Sequence, residues 1–300
     1  MKSKKKKISL FDAVNVSLVV LITLLLLYPL YFCVIASFSD PSEVVAGNTL
    51  LWIKDFTLEA YQNIIKESEL WRGYGNTIIY TIFGTIYNLV LTIPAAYVLS
   101  KKHLPFRNII SWYFFLTMFI SGGMIPTYLL MKDLHLVNNP LVMIVGVGVS
   151  AYNLIVARQF FTNSIPGEIY EAAYVDGAGE FKSFTSIALP LSKPITAVLA
   201  LYYGVGHWNS YYTGLLYLRD KKYFSLQQVL RSILMTNESA AAQLESSTSV
   251  ETAEYLLHKM RMAQGMKYST IFVACLPLLI VYPFIQKYFA KGAMVGGVKG

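Results

Sequence analysis

Long runs of apolar residues without a single formal charge alternate with shorter polar segments along this chain. Five runs, about 13–36, 75–100, 109–131, 195–218 and 268–286, contain no Asp, Glu, Lys or Arg. As a helix, each is long enough to cross a hydrocarbon core of about 30 Å. A sixth, 141–157, is slightly short and reaches span length near 161 if Arg158 snorkels its guanidinium to the interface. The predicted helices are therefore 13–36, 75–100, 109–131, 141–161, 195–218 and 268–288. With no Gly/Ser linker or low-complexity tract to mark a second domain, the pattern predicts an all-α, polytopic membrane protein whose single transmembrane domain occupies 1–300.

Composition agrees with a lipid solvent, since 55% of residues are hydrophobic and 14% charged, against roughly a quarter charged in soluble domains. The Lys4–Lys7 run resembles the start of a signal peptide. The apolar stretch after it exceeds the usual 7–15 residues, however, and no clean cleavage site follows, so it reads as a retained helix. The net charge of +8 invites a nucleic-acid reading, which its distribution removes. With the N-terminus inside, alternate segments carry nine net positive charges inside and one net negative charge outside, so both termini are expected in the cytoplasm. Cys33 and Cys275 fall within predicted helices, where a thiol behaves as a small apolar group.

Two outer segments and one inner segment stand out. The first outer segment, about 37–72, ends in the interfacial aromatics Trp71 and Tyr74. The second, 219–267, begins with Leu226, Val229, Leu230, Ile233 and Leu234 at amphipathic-helix spacing. A polar stretch, Asn237–Ser249, separates that run from another helical one at 250–264. This segment either caps the bundle or receives an extracellular partner.

Several chemistries are missing. Gradient-driven transporters need ionisable groups at membrane depth, and apart from tyrosines His207 is the only titratable candidate there, beside Trp208 and Asn209 in a setting suited to packing. His103, His135 and His258 are scattered over loops, without metal spacing. The dipeptide Gly-Lys of a phosphate-cradling loop never occurs. A secondary transporter or channel remains the rival reading. A membrane-embedded enzyme lacks any nucleophile and base, or paired carboxylates, at membrane depth.

The inner segment 164–190 reads as two short helices around a turn. Pro166 suits a first turn, Ile169, Ala172 and Ala173 share a face, and Asp176-Gly177 supplies the stop. Phe181, Phe184, Ile187 and Ala188 line one side of the second helix, which ends at Pro190. Four acids, Glu168, Glu171, Asp176 and Glu180, stand against one lysine. That is the wrong sign for lying on an anionic leaflet, so the segment reads as a docking element.

Glu171-Ala172-Ala173, Gly177 and Ile187-x-Leu189-Pro190 resemble the EAA signature of permease subunits in binding-protein-dependent ABC importers. Asn76-Thr77, the run Ser121–Leu130, Trp208-Asn209 and Pro283–Gly292 resemble the maltose-type, complex-oligosaccharide subgroup. The resemblance implies a type I ABC importer permease fold and a non-enzymatic subunit. It also implies that 164–190 is a coupling loop meeting a separate ATPase through Glu168, Glu171, Ala172, Ala173, Asp176, Gly177, Phe184, Leu189 and Pro190. The tail residues Gly296, Gly297 and Lys299 are expected to reach the same partner. The implied assembly holds a second permease subunit (a heterodimer, with a homodimer left open), two ATPase subunits carrying ATP and Mg, and an extracellular substrate-binding protein, all in or against a lipid bilayer. No nucleic acid and no cofactor or metal in this chain are expected. The expected substrate is a sugar or oligosaccharide, and because sugars offer C–H faces to rings and hydroxyls to amides, Tyr202, His207, Trp208, Asn209, Tyr211 and Tyr212 are candidates to line its path.

Overall fold

A computed structural model describes residues 10–245, 256, 260, 266–281 and 283. Among these, every regular element is helical. In order they are α1 (Leu10–Ser37), α2 (Pro41–Val45), α3 (Glu59–Lys66), α4 (Ser68–Ser100), α5 (Arg107–Leu116), α6 (Met124–Asp133), α7 (Val142–Val145) and α8 (Ala151–Ser164). Then come α9 (Gly167–Val175), α10 (Glu180–Ser183), a π turn (Phe184–Ala188), α11 (Leu189–Leu191), α12 (Lys193–Trp208), α13 (Tyr211–Tyr217), a 3₁₀ turn (Lys221–Tyr223) and α14 (Leu226–Glu245). A closing helix spans Met266–Val281. The chain falls into two compact units, one of residues up to Glu67 with Leu230–Cys275, the other of Ser68–Val229 with the residues from Leu276.

In the first unit α1 is apolar all round and exposed along most of its length, with burial only at Ile35, Ala36 and Ser37. A helix without a polar face is read as one that leaves water. The chain after it folds back along the helix: the Tyr28 hydroxyl donates to the Leu50 carbonyl at 3.1 Å and the Tyr31 hydroxyl to that of Leu51 at 2.5 Å. Tyr28 lies nine residues before the end of α1, or about 13 Å along its axis at ~1.5 Å per residue. Leu50, Leu51, Trp52 and Ile53 are thereby held at the level of the helix's apolar surface, with Trp52 76% exposed. Satisfying the Leu50 and Leu51 carbonyls with phenols is what a non-helical segment would require in order to meet lipid. We predict that Trp52, as the sole tryptophan after Trp71, Trp112 and Trp208 are changed to Phe, is quenched by shallow-brominated lipids in reconstituted vesicles. No quenching by such lipids would show that the segment stands clear of the bilayer.

In the second unit α4 is the axis, with α7, α8 and α12 against it. Ile93, Ala96, Leu154, Ala157 and Leu199 build its core around the rings of Tyr97 and Phe161. Three of the predicted spans differ from continuous helices. The 109–131 run is α5 and α6 separated by 117–123, where Gly123 takes a positive φ of 87°. The 141–161 run is α7 and α8 with a break at 146–150, and the 195–218 run ends α12 at Trp208 and restarts as α13. Among the described residues two helices, α1 and α4, are individually long and apolar enough to cross a membrane, and a third crossing is reached if the bent pair Glu180–Leu191 and Lys193–Trp208, meeting at 76°, counts as one. The bend has a covalent cause. Pro190 and Pro194 are four residues apart, so a continuous helix would set the Pro194 ring against the carbonyl of Pro190, and the backbone turns at Ser192 instead.

The segment after α13 is tied down by the residues that mark the start of the second predicted span. Asn76 Nδ2 donates to the carbonyls of Lys222 and Phe224, both at 2.9 Å, and Tyr80 Oη donates to that of Tyr223 at 2.9 Å. Thr77 Oγ1 accepts the Leu226 amide at 2.8 Å, which supplies the start of α14 with an acceptor for a donor that has no partner within its own helix. The stretch 250–264 lies outside the described residues except for Leu256 and Met260.

Candidate functional site

The loop between α8 and α12 is built by local rules. Pro166 precedes the first turn of α9. At the other end, the Gly177 amide donates to the Tyr174 carbonyl at 3.0 Å and the Ala178 amide to that of Ala173 at 2.9 Å, with Gly177 at φ +77°. This is the Schellman arrangement, which needs a left-handed residue at its second-last position. Glu168, Glu171, Ala172, Asp176 and Gly177 are exposed, as are Leu189 and Pro190, and Phe184 is half-buried. Ala173 differs from the expectation of two small residues facing a partner. It is buried within its own chain, because α9 turns that face to the loop, leaving Ala172 on the open side.

The sequence pattern does not single out Tyr174 and Val175, and it groups Phe181 with Phe184 and Ala188, whereas Phe181 stands bare and Ala188 is buried. Tyr174, Val175 and Phe181 are 80%, 85% and 80% exposed, flanking the Schellman turn from both helices. Large apolar side chains left bare together mark an interaction surface. The available signal was the pair Tyr174-Val175 directly before a helix stop, which no amphipathic helix needs there.

Behind the tip, the loop is anchored to the end of α4. The Tyr97 hydroxyl donates to Glu180 Oε2 at 3.0 Å, Lys101 Nζ lies 3.3 Å from the same oxygen, and His103 Nε2 lies 3.4 Å from Oε1. Burial opposes the charge on Glu180, yet the Tyr97 hydroxyl, Lys101 and His103 together hold its carboxyl below the ordinary value. Burial, and then the nearby Glu180 charge, push the Tyr170 phenol up to about 12.

A second constellation crosses the core of the unit. The break at 146–150 frees two carbonyls, and fully buried Asn88 on α4 donates to both, Val147 and Gly148, at 2.5 Å. Asn88 Oδ1 lies 2.7 Å from His207 Nε2 on α12. The Ser150 amide donates to Tyr203 Oη at 3.1 Å, and that hydroxyl pairs with Thr92 Oγ1 at 2.7 Å. The His207 ring fits because position 84 is glycine: a Cβ there would collide with it.

The six candidate path residues are divided by this belt. His207 and Trp208 are buried, the latter edge-on to Tyr74 with centroids 5.8 Å apart, so both are occupied in packing. Tyr202, Asn209 and Tyr212 are exposed and Tyr211 is partly so. Tyr202 lies beside Tyr152 with ring centroids 6.4 Å apart, and Tyr212 Oη is 3.0 Å from Met124 Sδ. The tail residues Gly296, Gly297 and Lys299 lie outside the described residues. No group of three or more His, Cys, Asp or Glu side chains suited to a metal occurs among the described residues.

The body is helical, with two helices among the described residues long and apolar enough to cross a membrane, and a short loop between α8 and α12 ends in a bare apolar tip. The family model "Binding-protein-dependent transport system inner membrane component" matches residues 70–295, and the chain belongs to that family, whose members are membrane components. It is 36% identical over 290 residues to Protein LplC of Bacillus subtilis, covering 97% of this chain and 95% of that one. It is 35% identical over 291 residues to the polygalacturonan/rhamnogalacturonan transport system permease protein YtcP of the same organism, covering 97% and 99%. Among solved structures it matches a chain of a bacterial ABC transporter involved in the import of the acidic polysaccharide alginate, with a TM-score of 0.82, 30% identity and coverage of 96% and 100%.

Proposed function

We propose that this chain is the transmembrane subunit of an ATP-driven importer, passing a sugar or oligosaccharide, delivered by an extracellular binding protein, into the cytoplasm. The observation that carries the reading is the bare apolar tip of Tyr174, Val175 and Phe181, set on a loop that the Schellman turn stiffens. Such a tip fits a groove on a separate ATPase, with Glu168 and Glu171 at its rim to meet basic side chains. ATP and Mg belong to that partner. A second permease chain completes the pathway.

The chain crosses the membrane six times with both termini in the cytoplasm, so the loop 164–190 faces the ATPase and the Trp71–Tyr74 end of α4 faces outward. Closure of the ATPases moves the loop, and the bundle switches between outward and inward access as a rigid-body change. Tyr202, Asn209, Tyr211 and Tyr212 offer the rings and the amide that a sugar needs. The names of the relatives make uronate-rich oligosaccharides the first substrates to offer. The test is uptake of labelled galacturonate and mannuronate oligosaccharides by proteoliposomes holding the complex as it co-purifies, with and without ATP. ATP-dependent accumulation is expected, and uptake driven equally well by an ion gradient without ATP would overturn the reading.

A further inference from the structure

Tyr97 stands where five elements meet. Its ring, buried on α4, packs against Phe161 of α8, Tyr170 of α9 and Phe184 of the π turn, at centroid distances of 5.9, 6.0 and 5.1 Å. Its hydroxyl holds Glu180 of α10. One turn on, Lys101 Nζ reaches the same carboxylate and sits 4.4 Å from the Tyr97 ring centroid and 3.9 Å from that of Tyr170. A cation between two ring faces and a carboxylate is held from three sides.

A displacement of the docking tip can enter the bundle along the chain, through Ile165 into α8 on one side and through the π turn, α11 and the 76° bend at Ser192 into α12 on the other, and across side chains into α4. The α4 contact at Glu180 is a charge-assisted hydrogen bond and ion pair beside a buried ring. We propose that Glu180, gripped by Tyr97 and Lys101, is the strut that drives α4 when the docking loop moves, which makes Tyr97 and Lys101 positioning residues for coupling. The inference rests on the importer reading above.

Charge reversal tests it. In proteoliposomes holding the whole co-purified complex, oligosaccharide accumulated per ATP hydrolysed is measured for wild type, Lys101→Glu, Glu180→Lys and the double reversal. Each single reversal is expected to lower this ratio at least about fivefold while ATP hydrolysis continues, and the double reversal to return it to within roughly twofold of wild type, as for a directly coupled pair. A merely structural role would lower complex yield and both activities together, leaving the ratio unchanged. Tyr97→Phe, which keeps the ring and removes only the hydroxyl bond, is expected to lower the ratio as well and serves if a reversal fails to assemble. Wild-type ratios in the assembled variants, or a double reversal no better than the worse single one, overturn the strut alone. A wild-type complex that hydrolyses ATP without accumulating oligosaccharide overturns the importer reading and the strut with it.

Discussion

Replacing Gly177 with aspartate is expected to abolish ATP-driven uptake while leaving the chain in the membrane. Nothing lies within 4 Å of a Cβ built at this position, so the side chain itself meets no obstacle. The cost is in the backbone, because φ at Gly177 is +77° and a left-handed residue other than glycine costs roughly 1–2 kcal/mol. That is enough to shift a local two-state ratio about 5–30-fold. Asp adds a fifth carboxylate to a segment that already holds Glu168, Glu171, Asp176 and Glu180. The turn that sets Tyr174 and Val175 against Phe181 then opens, and the docking tip loses its shape. Asn and Asp both tolerate the left-handed region better than most residues, but Asn carries no charge, so Gly177→Asn is expected to keep a measurable share of uptake. The check is uptake and ATP hydrolysis in proteoliposomes, beside the yield of the co-purified complex. Wild-type uptake in Gly177→Asp would remove the loop from the mechanism.

Asn88→Leu is expected to act on the fold. Leucine keeps the volume and removes both donors to the Val147 and Gly148 carbonyls as well as the acceptor facing His207. A buried polar group left without a partner costs about 1–3 kcal/mol; of the three groups orphaned, His207 is buried while Val147 is exposed and Gly148 half-buried, so a loss of about 1–3 kcal/mol is expected. It would be read as a lower midpoint of thermal unfolding in detergent and reduced yield from membranes. Thr92→Val, which cuts one hydroxyl from the neighbouring Tyr203 pair, should cost clearly less. Equal stability of Asn88→Leu and wild type would mean that the break at 146–150 is satisfied in some other way.

These two sites also mark the boundary of what could be read from the residues in order. The helix-turn-helix form of the loop at 164–190 was legible because its signals are local. Pro166 before a helix, Asp176-Gly177 after it and the excess of acids act within a few residues of where they stand. The same holds for the apolar stretches, whose length and lack of charge follow from what lipid does to an unpaired backbone or charge. Which face of α9 turns inward was not legible, and Ala173 is buried while Ala172 is exposed, because that choice depends on how the rest of the chain packs against the helix.

The breaks within three of the predicted spans lay further out of reach. A helix crossing lipid can stop only where something else satisfies its freed carbonyls, and the group that does so at Val147 and Gly148 is Asn88, some sixty positions earlier. The grip of Tyr97 and Lys101 on Glu180 likewise joins residues about eighty apart. By itself, the sequence determined that this chain belongs in a membrane and carries a two-helix loop with a glycine turn at 164–190, since hydrophobic length and turn chemistry act over short distances. Only the tertiary structure decided where the spans break and how the loop is tied to α4, because a buried polar group is settled by whichever partner the fold brings within about 3 Å.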